Sequence, residues 1–490
     1  MEWERFSGQP VPLTERDAAG GRSQLESADG SDPSRNDEAR RVADYPDALR
    51  YLYGLPNWET AAVGGRPAPD VARPRRLFEL LGVAEPPYRV VVVAGTNGKG
   101  STAAMLESIL RAAGHRTGLY TQPHLHTYRE RIQVDRQLIA PEAFATGLER
   151  VRAAIDTLVR TAPELGAVTT YEAATALALL HLADQHVDVA VLEIGLGGRL
   201  DAVNAVQAEV AVLTPIALDH TEVLGDTLAA IAAEKADVIK PGSIAVSGPQ
   251  APEALAVIAK VAAARGAELR LAGEGGDSGA AVQLAVRREG SDLVGQHATY
   301  AGLRLGLVGD HQWTNAAVAV GAAEALVDRG LAVPPAAVAQ GLARVRWPGR
   351  LEVLAPGPPL VLADGAHNPA GAAVLAAALE SYFPAPRRLL VLGTTADKDT
   401  PGILAALAPA VARVYATEAH HPRATPRDRV AAVARTLGLR VQTIPDVAAA
   451  IHHAQRQRGS GDLIVVAGSL YVVAEARVAL GRAHEVDPEL

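Results

Sequence analysis

The stretch RVVVVAGTNGKGSTAAMLESILRAAG, residues 89–114, constrains the chain more than any other. A run of β-branched residues is the signature of a strand buried on both faces, and such strands lie inside parallel sheets covered by helices. The glycine-rich turn Gly95–Gly100 opens directly into a helical pattern that ends at Gly114. Strand, turn and helix in that order aim backbone N–H groups and the positive end of the helix dipole at one spot, which makes an anion site. Glycines let the backbone approach phosphate oxygens, Lys99 adds a point charge, and Ser101 or Thr102 offers a hydroxyl for Mg²⁺. The spelling is not G-x-x-x-x-G-K-[ST]: Gly100 separates Lys99 from Ser101, and only Thr96 and Asn97 separate Gly95 from Gly98. The alternative, a glycine turn with a solvated lysine, leaves the flanking strand and helix without a purpose.

The same rhythm extends along the chain. Helical spacing marks YPDALRYLYGL and VARPRRLFELLGV, and Tyr171–Ala183 reads as a helix, while VDVAVLEIG and AEVAVLTPIALDH read as buried strands. Alternating strands and helices imply right-handed crossovers and a mainly parallel sheet. Residues 273–300 carry turn signals and weak alternation, and predict a hairpin or small antiparallel sheet. After RVRWPGRLEVL the rhythm restarts with LVLADG, RLLVLGT, VARVYAT and DLIVVAG. The expected organisation is a tail at 1–40, a phosphate-loop α/β domain at 41–345 and a smaller Rossmann-like α/β domain at 346–490. Residues 1–40 are rich in Ser, Asp, Arg and Gly and are expected to be disordered.

Composition closes several routes. The net charge of −8 provides no basic excess for nucleic acid, and the absence of cysteine removes disulfides, zinc–thiolate sites and thiol catalysis. No basic, then apolar, leader opens the sequence, and no apolar stretch reaches the ~20 residues of a membrane span. A soluble cytoplasmic protein is the expectation.

Several further segments, in order, carry a resemblance: TQPHLHTYRERIQVDR (121–136), LEIGLGGRLDAVN (192–204), IALDHTEVLGDTLAAIAAEKADVIKPG (216–242), GDHQWTNAAVA (309–319), WPGRLEVL (347–354), LADGAHNPAG (362–371), GTTADKD (393–399) and GSLYVVAEA (468–476). Together with GTNGKGST they resemble the folylpolyglutamate synthase and dihydrofolate synthase family of the Mur ligase superfamily, from about residue 44 to about residue 480.

Residue by residue, the chemistry and the resemblance combine. The resemblance implies that Gly95, Thr96, Asn97, Gly98, Lys99, Gly100, Ser101 and Thr102 cradle ATP, joined by Asn315, Arg350 and Asp364. An Asn near a helix start is as often a cap. Glu193 closes a strand at the carboxyl edge of the sheet, where ligands sit in open α/β folds, although such a carboxylate is as often simply solvated. With Ser101 and His220, read as standing at the end of another strand, it forms the implied Mg²⁺ set. Lys235 on a helix would ordinarily be a surface residue; the resemblance implies a carbamate there, which requires a neutral amine. It also implies folate contacts from His124, Arg131 and Asp201, and a glutamate site at His367 and Ser469. Gln122 stands where the family usually has serine. Lys398, between two aspartates, is compatible with a surface turn.

The implied catalytic set is Lys99, Lys235, His367 and Arg350. The implied reaction activates a substrate carboxylate with MgATP as an acyl phosphate, which the amine of L-glutamate captures. The acid the resemblance implies is a reduced folate, and dihydropteroate as well; a monomeric enzyme that uses ATP and Mg²⁺, and a monovalent cation besides, is the expectation. Two rivals stay open: a Mur-type amide ligase for a non-folate acid, and a phosphate-loop protein without ligase activity.

Overall fold

A computed structural model describes residues 44–57, 71–273 and 283–487. The tail expected at 1–40 lies outside the described residues. The strands of the first sheet are β1 Arg89–Ala94, β2 Thr117–Tyr120, β3 Ile132–Val134, β4 Gln137–Leu138, β5 Val189–Glu193, β6 Val210–Leu213, β7 Ile244–Ser247, β8 Glu268–Gly273, β9 Gln283–Glu289, β10 Asp292–Val294 and β11 Thr299–Tyr300. They lie in the order β11-β10-β9-β8-β7-β6-β1-β5-β2-β3-β4. From β9 to β2 every pairing is parallel; β10–β11 and β3–β4 continue it antiparallel at the two edges.

The valines of β1 explain the layers. Val90 and Val92 enter one core, with the helices Pro141–Thr161, Thr170–Asp184 and Leu228–Ala236; Val91 and Val93 enter the other, with Lys99–Ala112, His311–Asp328 and Pro335–Arg344. A strand whose alternate side chains feed two cores must be apolar at every position, as this one is. Its carboxyl end lies between those of β5 and β6, with Val93 opposite Glu193 and Ala94 opposite Leu213.

The second sheet comprises β12 Glu352–Ala355, β13 Leu360–Ala363, β14 Arg388–Leu392, β15 Arg413–Ala416, β16 Val441–Thr443 and β17 Leu463–Ala467, in the order β12-β13-β17-β14-β15-β16. All pairs are parallel except β12–β13. Helices cover both faces. The mixed, mostly parallel α/β architecture is the expected one.

Three local readings change. Residues 283–300 do form an antiparallel meander, but it extends the main sheet through β8–β9 instead of standing apart. The helix that holds Asn315 begins at His311, so Asn315 lies inside its second turn and does not cap it. His220 is not at a strand end: six residues separate it from Leu213, and it precedes the short helix Thr221–Leu224 with φ of 50°.

The helix Pro335–Arg344 rides directly on the helix of the glycine turn. A Cβ at Gly341 would stand 2.5 Å from Ile109 Cα, and Ser108 Oγ donates to Gly341 O at 2.8 Å. Backbone lies on both sides of that contact, so neither partner can swing away. We expect Gly341→Ala to lower the unfolding free energy by about 1–3 kcal/mol, as overpacking does, read as a lower denaturant midpoint with an unchanged slope.

Candidate active site

The glycine turn is held from three directions. Gly95 has φ of 137°, and a Cβ there would sit 1.9 Å from Thr214 Oγ1. Gly98, with φ of 89°, precedes the helix Lys99–Ala112, and its missing Cβ leaves room for Asn315 Oδ1 at 2.4 Å. At Gly100 a Cβ would meet Trp347 Nε1 at 3.0 Å. Thr96 N and Asn97 N donate to Pro215 O, and Thr96 Oγ1 both donates to Ala217 O and accepts from Ala217 N, each at 3.1 Å. The loop is therefore a fixed concavity. Ser101 and Thr102 are buried at its base, and Thr102 Oγ1 has no hydrogen-bond partner.

Charged groups converge around it. Glu193 is 4% exposed; burial raises its carboxyl above the usual range, opposed by the charge of Lys99, by the N–H of Gln122 at 3.3 Å and by Arg350. Lys99 Nζ donates to Thr96 O at 3.2 Å. Lys235 is 5% exposed, not a surface lysine; burial, then the like charge of Lys99, pulls its ammonium down to about 7. The reason the loop GLGGRLD needs glycine follows from the same helix: a Cβ at Gly198 would stand 2.5 Å from Glu234 O and 3.0 Å from Lys235 Cα.

Asp201 is occupied by its own loop. Its carboxylate accepts from Tyr171 OH at 2.8 Å, Gly195 N at 2.9 Å, Leu196 N at 3.2 Å and Val203 N at 2.9 Å. Burial nevertheless lifts it to about 6, against the pull of Tyr171 and these amides. Gln122 fills the space beside Gly195 and donates to Tyr171 OH at 2.9 Å, so the departure from serine is absorbed by that tyrosine. Arg131 Nε donates to His124 Nδ1 at 2.9 Å, and its guanidinium lies 4.4 Å from the Tyr128 ring centre.

From the second sheet, Arg350 lies against Gly365, where a Cβ would meet its Nη1 at 2.3 Å, and Nη1 donates to Gly349 O at 3.0 Å. Asp364 accepts from Leu351 N at 2.9 Å and Ala366 N at 2.8 Å. Asn315 is buried and donates to Gln312 Oε1 at 2.9 Å. Ser469 caps the helix Leu470–Ala479, accepting from Val472 N at 3.2 Å. His367 Nδ1 donates to Gly365 O at 2.8 Å, and Nε2 faces Asp219 at 3.6 Å.

Residues that sequence reasoning left aside complete the arrangement. Lys398 is no surface turn: its side chain is 10% exposed, and Nζ reaches Asp219 Oδ1 at 2.8 Å and His220 Nε2 at 3.2 Å. Asn368 Nδ2 donates to Asn97 Oδ1 at 3.0 Å and Asp219 Oδ2 at 3.1 Å, joining the glycine turn to the second sheet. Burial alone would raise the Asp219 carboxyl, but the neighbouring His367 imidazole and the charge of Lys398 outweigh it and hold it far below the usual range. Burial and Lys398 likewise push the His220 imidazole down to about 4. The sequence signal was present as the Asp–His pair and the DKD triplet, but nothing in either says that they meet. Among the described residues no three His, Asp or Glu side chains form a metal cage.

Two domain models of one class match: the Mur ligase middle domain over residues 93–323, and the Mur ligase glutamate ligase domain over 349–470. The fold is that of a Mur ligase. A Mycobacterium tuberculosis protein named dihydrofolate synthase/folylpolyglutamate synthase is 36% identical, covering 92% of this chain and 98% of its own. A Haloferax volcanii protein named "Probable bifunctional folylpolyglutamate synthase/dihydropteroate synthase" is 37% identical over 90% of this chain, which spans about half (51%) of that longer protein. A solved bifunctional folylpolyglutamate synthase/dihydrofolate synthase with Mn, AMPPNP and L-glutamate bound matches with a TM-score of 0.76 at 31% identity, over 90% of this chain and 99% of that one. The chain belongs to the folylpolyglutamate synthase/dihydrofolate synthase family. Among the described residues no helix is long and apolar enough to cross a membrane.

Asp219 is one of the contacts between the sheets, and its loss leaves Lys398 with Asp397, at 3.4 Å, as its remaining ion-pair partner. Asp219→Ala is expected to lower stability by about 1.5–3 kcal/mol, the cost of losing a hydrogen bond to a charged group. Because the folded carboxyl is held below its unfolded value, this stabilisation is present above the ordinary aspartate range, near ~4, and fades as pH falls below it. Denaturant unfolding of the wild type and the variant should therefore converge on acidification.

Proposed function

We propose that the protein is an ATP-dependent ligase that joins L-glutamate to a folate, extending reduced folates and also converting dihydropteroate to dihydrofolate. One observation carries the reading: a glycine-built anion loop, a buried carboxylate and a buried lysine of the first sheet face Arg350, His367 and Lys398 of the second. A phosphate-loop protein that only binds or hydrolyses nucleotide has no need of that second set. The choice of folate over another acid rests on family membership, and the loops that carry His124, Arg131 and Asp201 are its place in this chain.

The residues fit the groups the reaction needs. Thr102 Oγ1 lacks a partner at the base of the loop, and the first amides of the helix Lys99–Ala112 point out of it. Mg²⁺ binds through one or two carboxylates and phosphate oxygens instead of an all-protein cage, which suits Glu193 and Ser101. His220 could join them only after Lys398 releases Nε2. The metal would supply charge neutralisation at the phosphates.

The substrate carboxylate attacks the γ-phosphorus of ATP; ADP leaves and an acyl phosphate forms. The amine of L-glutamate attacks the acyl carbon, phosphate departs, and an amide remains. Phosphoryl transfer is chiefly positioning and charge neutralisation. Gly95–Thr102 hold the phosphates, with Lys99 and Arg350 on their oxygens, while Asn315 and Asp364 support the nucleotide side. His367 and Ser469 face the glutamate side. Asp201, already bonded to four donors, shapes the folate loop more than it reaches a ligand.

A neutral lysine amine can take up CO₂ as a carbamate, and burial, then the charge of Lys99, draws the Lys235 ammonium down to about 7, in the direction that favours it. ¹³C-bicarbonate should give a carbamate carbonyl resonance in the wild type that Lys235→Ala lacks, and the variant should lose about 100-fold in turnover, the scale of losing a preorganised charged group. An identical resonance in both proteins removes the carbamate from the scheme.

The reaction itself is tested by phosphate release with dihydropteroate or tetrahydrofolate. Release should require ATP, the pteridine and L-glutamate together; release from ATP alone would point to the nucleotide-only alternative, and release only with a non-folate acid to another amide ligase. Arg350→Ala should cut kcat about 100-fold while leaving the unfolding midpoint nearly unchanged.

A further inference from the structure

Two carboxylates organise the loop that carries His124 and Arg131. One is local: Glu130 accepts from Leu125 N and His126 N at 2.8 Å and from Thr127 N at 3.1 Å. The other is remote. Asp487 Oδ2 accepts from Tyr128 N at 2.7 Å, and both Asp487 oxygens lie 3.0 Å from Tyr45 OH. Asp487 N donates to His126 O at 2.9 Å, and Glu485 pairs with Arg129.

We propose that residues 482–487 are a strap that positions the acid-substrate loop and makes its geometry depend on the second domain. The segment leaves the helix Leu470–Ala479, which begins at Ser469, and its path is fixed. Arg482 Nε donates to Leu354 O of β12 at 2.7 Å, and Arg477 donates from Nη2 to Arg482 O at 2.9 Å and from Nε to His126 Nε2 at 3.0 Å. The strap then crosses to the first domain. There it meets the helix Tyr45–Gly54 through Tyr45, whose ring packs edge-on against Phe144 with 5.0 Å between ring centres.

What the strap holds is the residue beneath the candidate ligand groups. Tyr128 N is anchored on Asp487; the Tyr128 ring carries the Arg131 guanidinium on its face and lies 5.2 Å from the His124 ring. A charge-assisted hydrogen bond to a backbone amide is short, directional and about twice as strong as a neutral one. Removing it loosens the turn Tyr128–Arg131 at its first residue, and with it the direction of Arg131. Asp487 and Glu485 are thus positioning residues, acting through Tyr128 and Arg129. The inference rests on the reading of this loop as the folate side.

The test separates the strap from that reading. In the full chain, Asp487→Ala should speed amide hydrogen exchange across residues 124–131 by about tenfold, the effect of losing ~1.4 kcal/mol of local protection. The same variant should weaken binding of dihydropteroate and tetrahydrofolate by about tenfold and leave ADP affinity within twofold. Asp487→Asn keeps an acceptor oxygen and should recover most of both losses; Tyr45→Phe, which removes only the second donor, should give an intermediate exchange rate. Exchange unchanged in Asp487→Ala overturns the strap. Faster exchange with unchanged pteridine affinity overturns its role in substrate positioning. A wild-type chain that binds neither pteridine overturns the reading of the loop, and the exchange rates still decide the strap.

Discussion

Crowding at Gly95 is the constraint on which the rest of the molecule turns. With Thr214 Oγ1 lying 1.9 Å from where a Cβ would be, any side chain would push β1 and β6 apart at the edge where every functional group gathers. The two other turn glycines repeat the argument with other partners: Asn315 from the helix His311–Asp328 at Gly98, and Trp347 from the crossing into the second sheet at Gly100. This accounts physically for the unusual spelling of the loop. Gly100, which separates Lys99 from Ser101, is where the indole of Trp347 comes within 3.0 Å; a larger residue there would displace the crossing to the second domain. Trp347 in turn lies under the Arg136 guanidinium at 5.2 Å. Loop, linker and the β3–β4 turn share one packing problem.

A concavity built so tightly gathers charge that the burial would otherwise exclude. Lys235 lies buried beside the half-buried Lys99, and burial first, then that like charge, draws its ammonium down to about 7. Glu193 and Asp219 are both screened from water, yet they move in opposite directions. Glu193, buried with the Gln122 backbone N–H donating to it, rises, whereas Asp219 has Lys398, Asn368 and His367 around it and falls. A carboxylate short of protein donors is ready to take a cation. One already saturated holds structure together. The same chemical group therefore divides into two tasks according to its neighbours.

Much of this was legible in the sequence because it is local. The valines of β1 announce a strand between two cores, and Gly95, Gly98 and Lys99 announce an anion loop before any partner is known. What remained hidden depends on contacts between distant residues. Asn315 reads equally well as a helix cap or a nucleotide contact, and only the start of the helix at His311 excludes the cap. Asp201 carries an implied ligand role, and no local pattern reveals that Tyr171 OH and three backbone amides donate to it. Lys398, flanked by aspartates, has the local pattern of a solvated turn, and only the position of Asp219, 179 residues earlier, gives it a buried role. Asp487 falls beyond the segments that carry the family resemblance, so neither pattern nor likeness singles it out.

An activated acid in water needs both halves of its site to close together. The two sheets meet through contacts of different kinds: amide and ion-pair bonds of Asn97 and Asp219 to Asn368 and Lys398, packing of Trp347 on Gly100, and carboxylates of the strap on Tyr128 and Arg129. The first group touches the nucleotide loop and the last touches the loop assigned to the acid, while the indole joins the linker between them. A displacement of the second sheet large enough to break one set strains the others, because each is anchored on the same body. Loading of either substrate is thereby linked to the geometry of the other, and a labile acyl phosphate would form only where both loops are held against the second domain. Sequestration of that kind limits hydrolysis without any residue dedicated to preventing it.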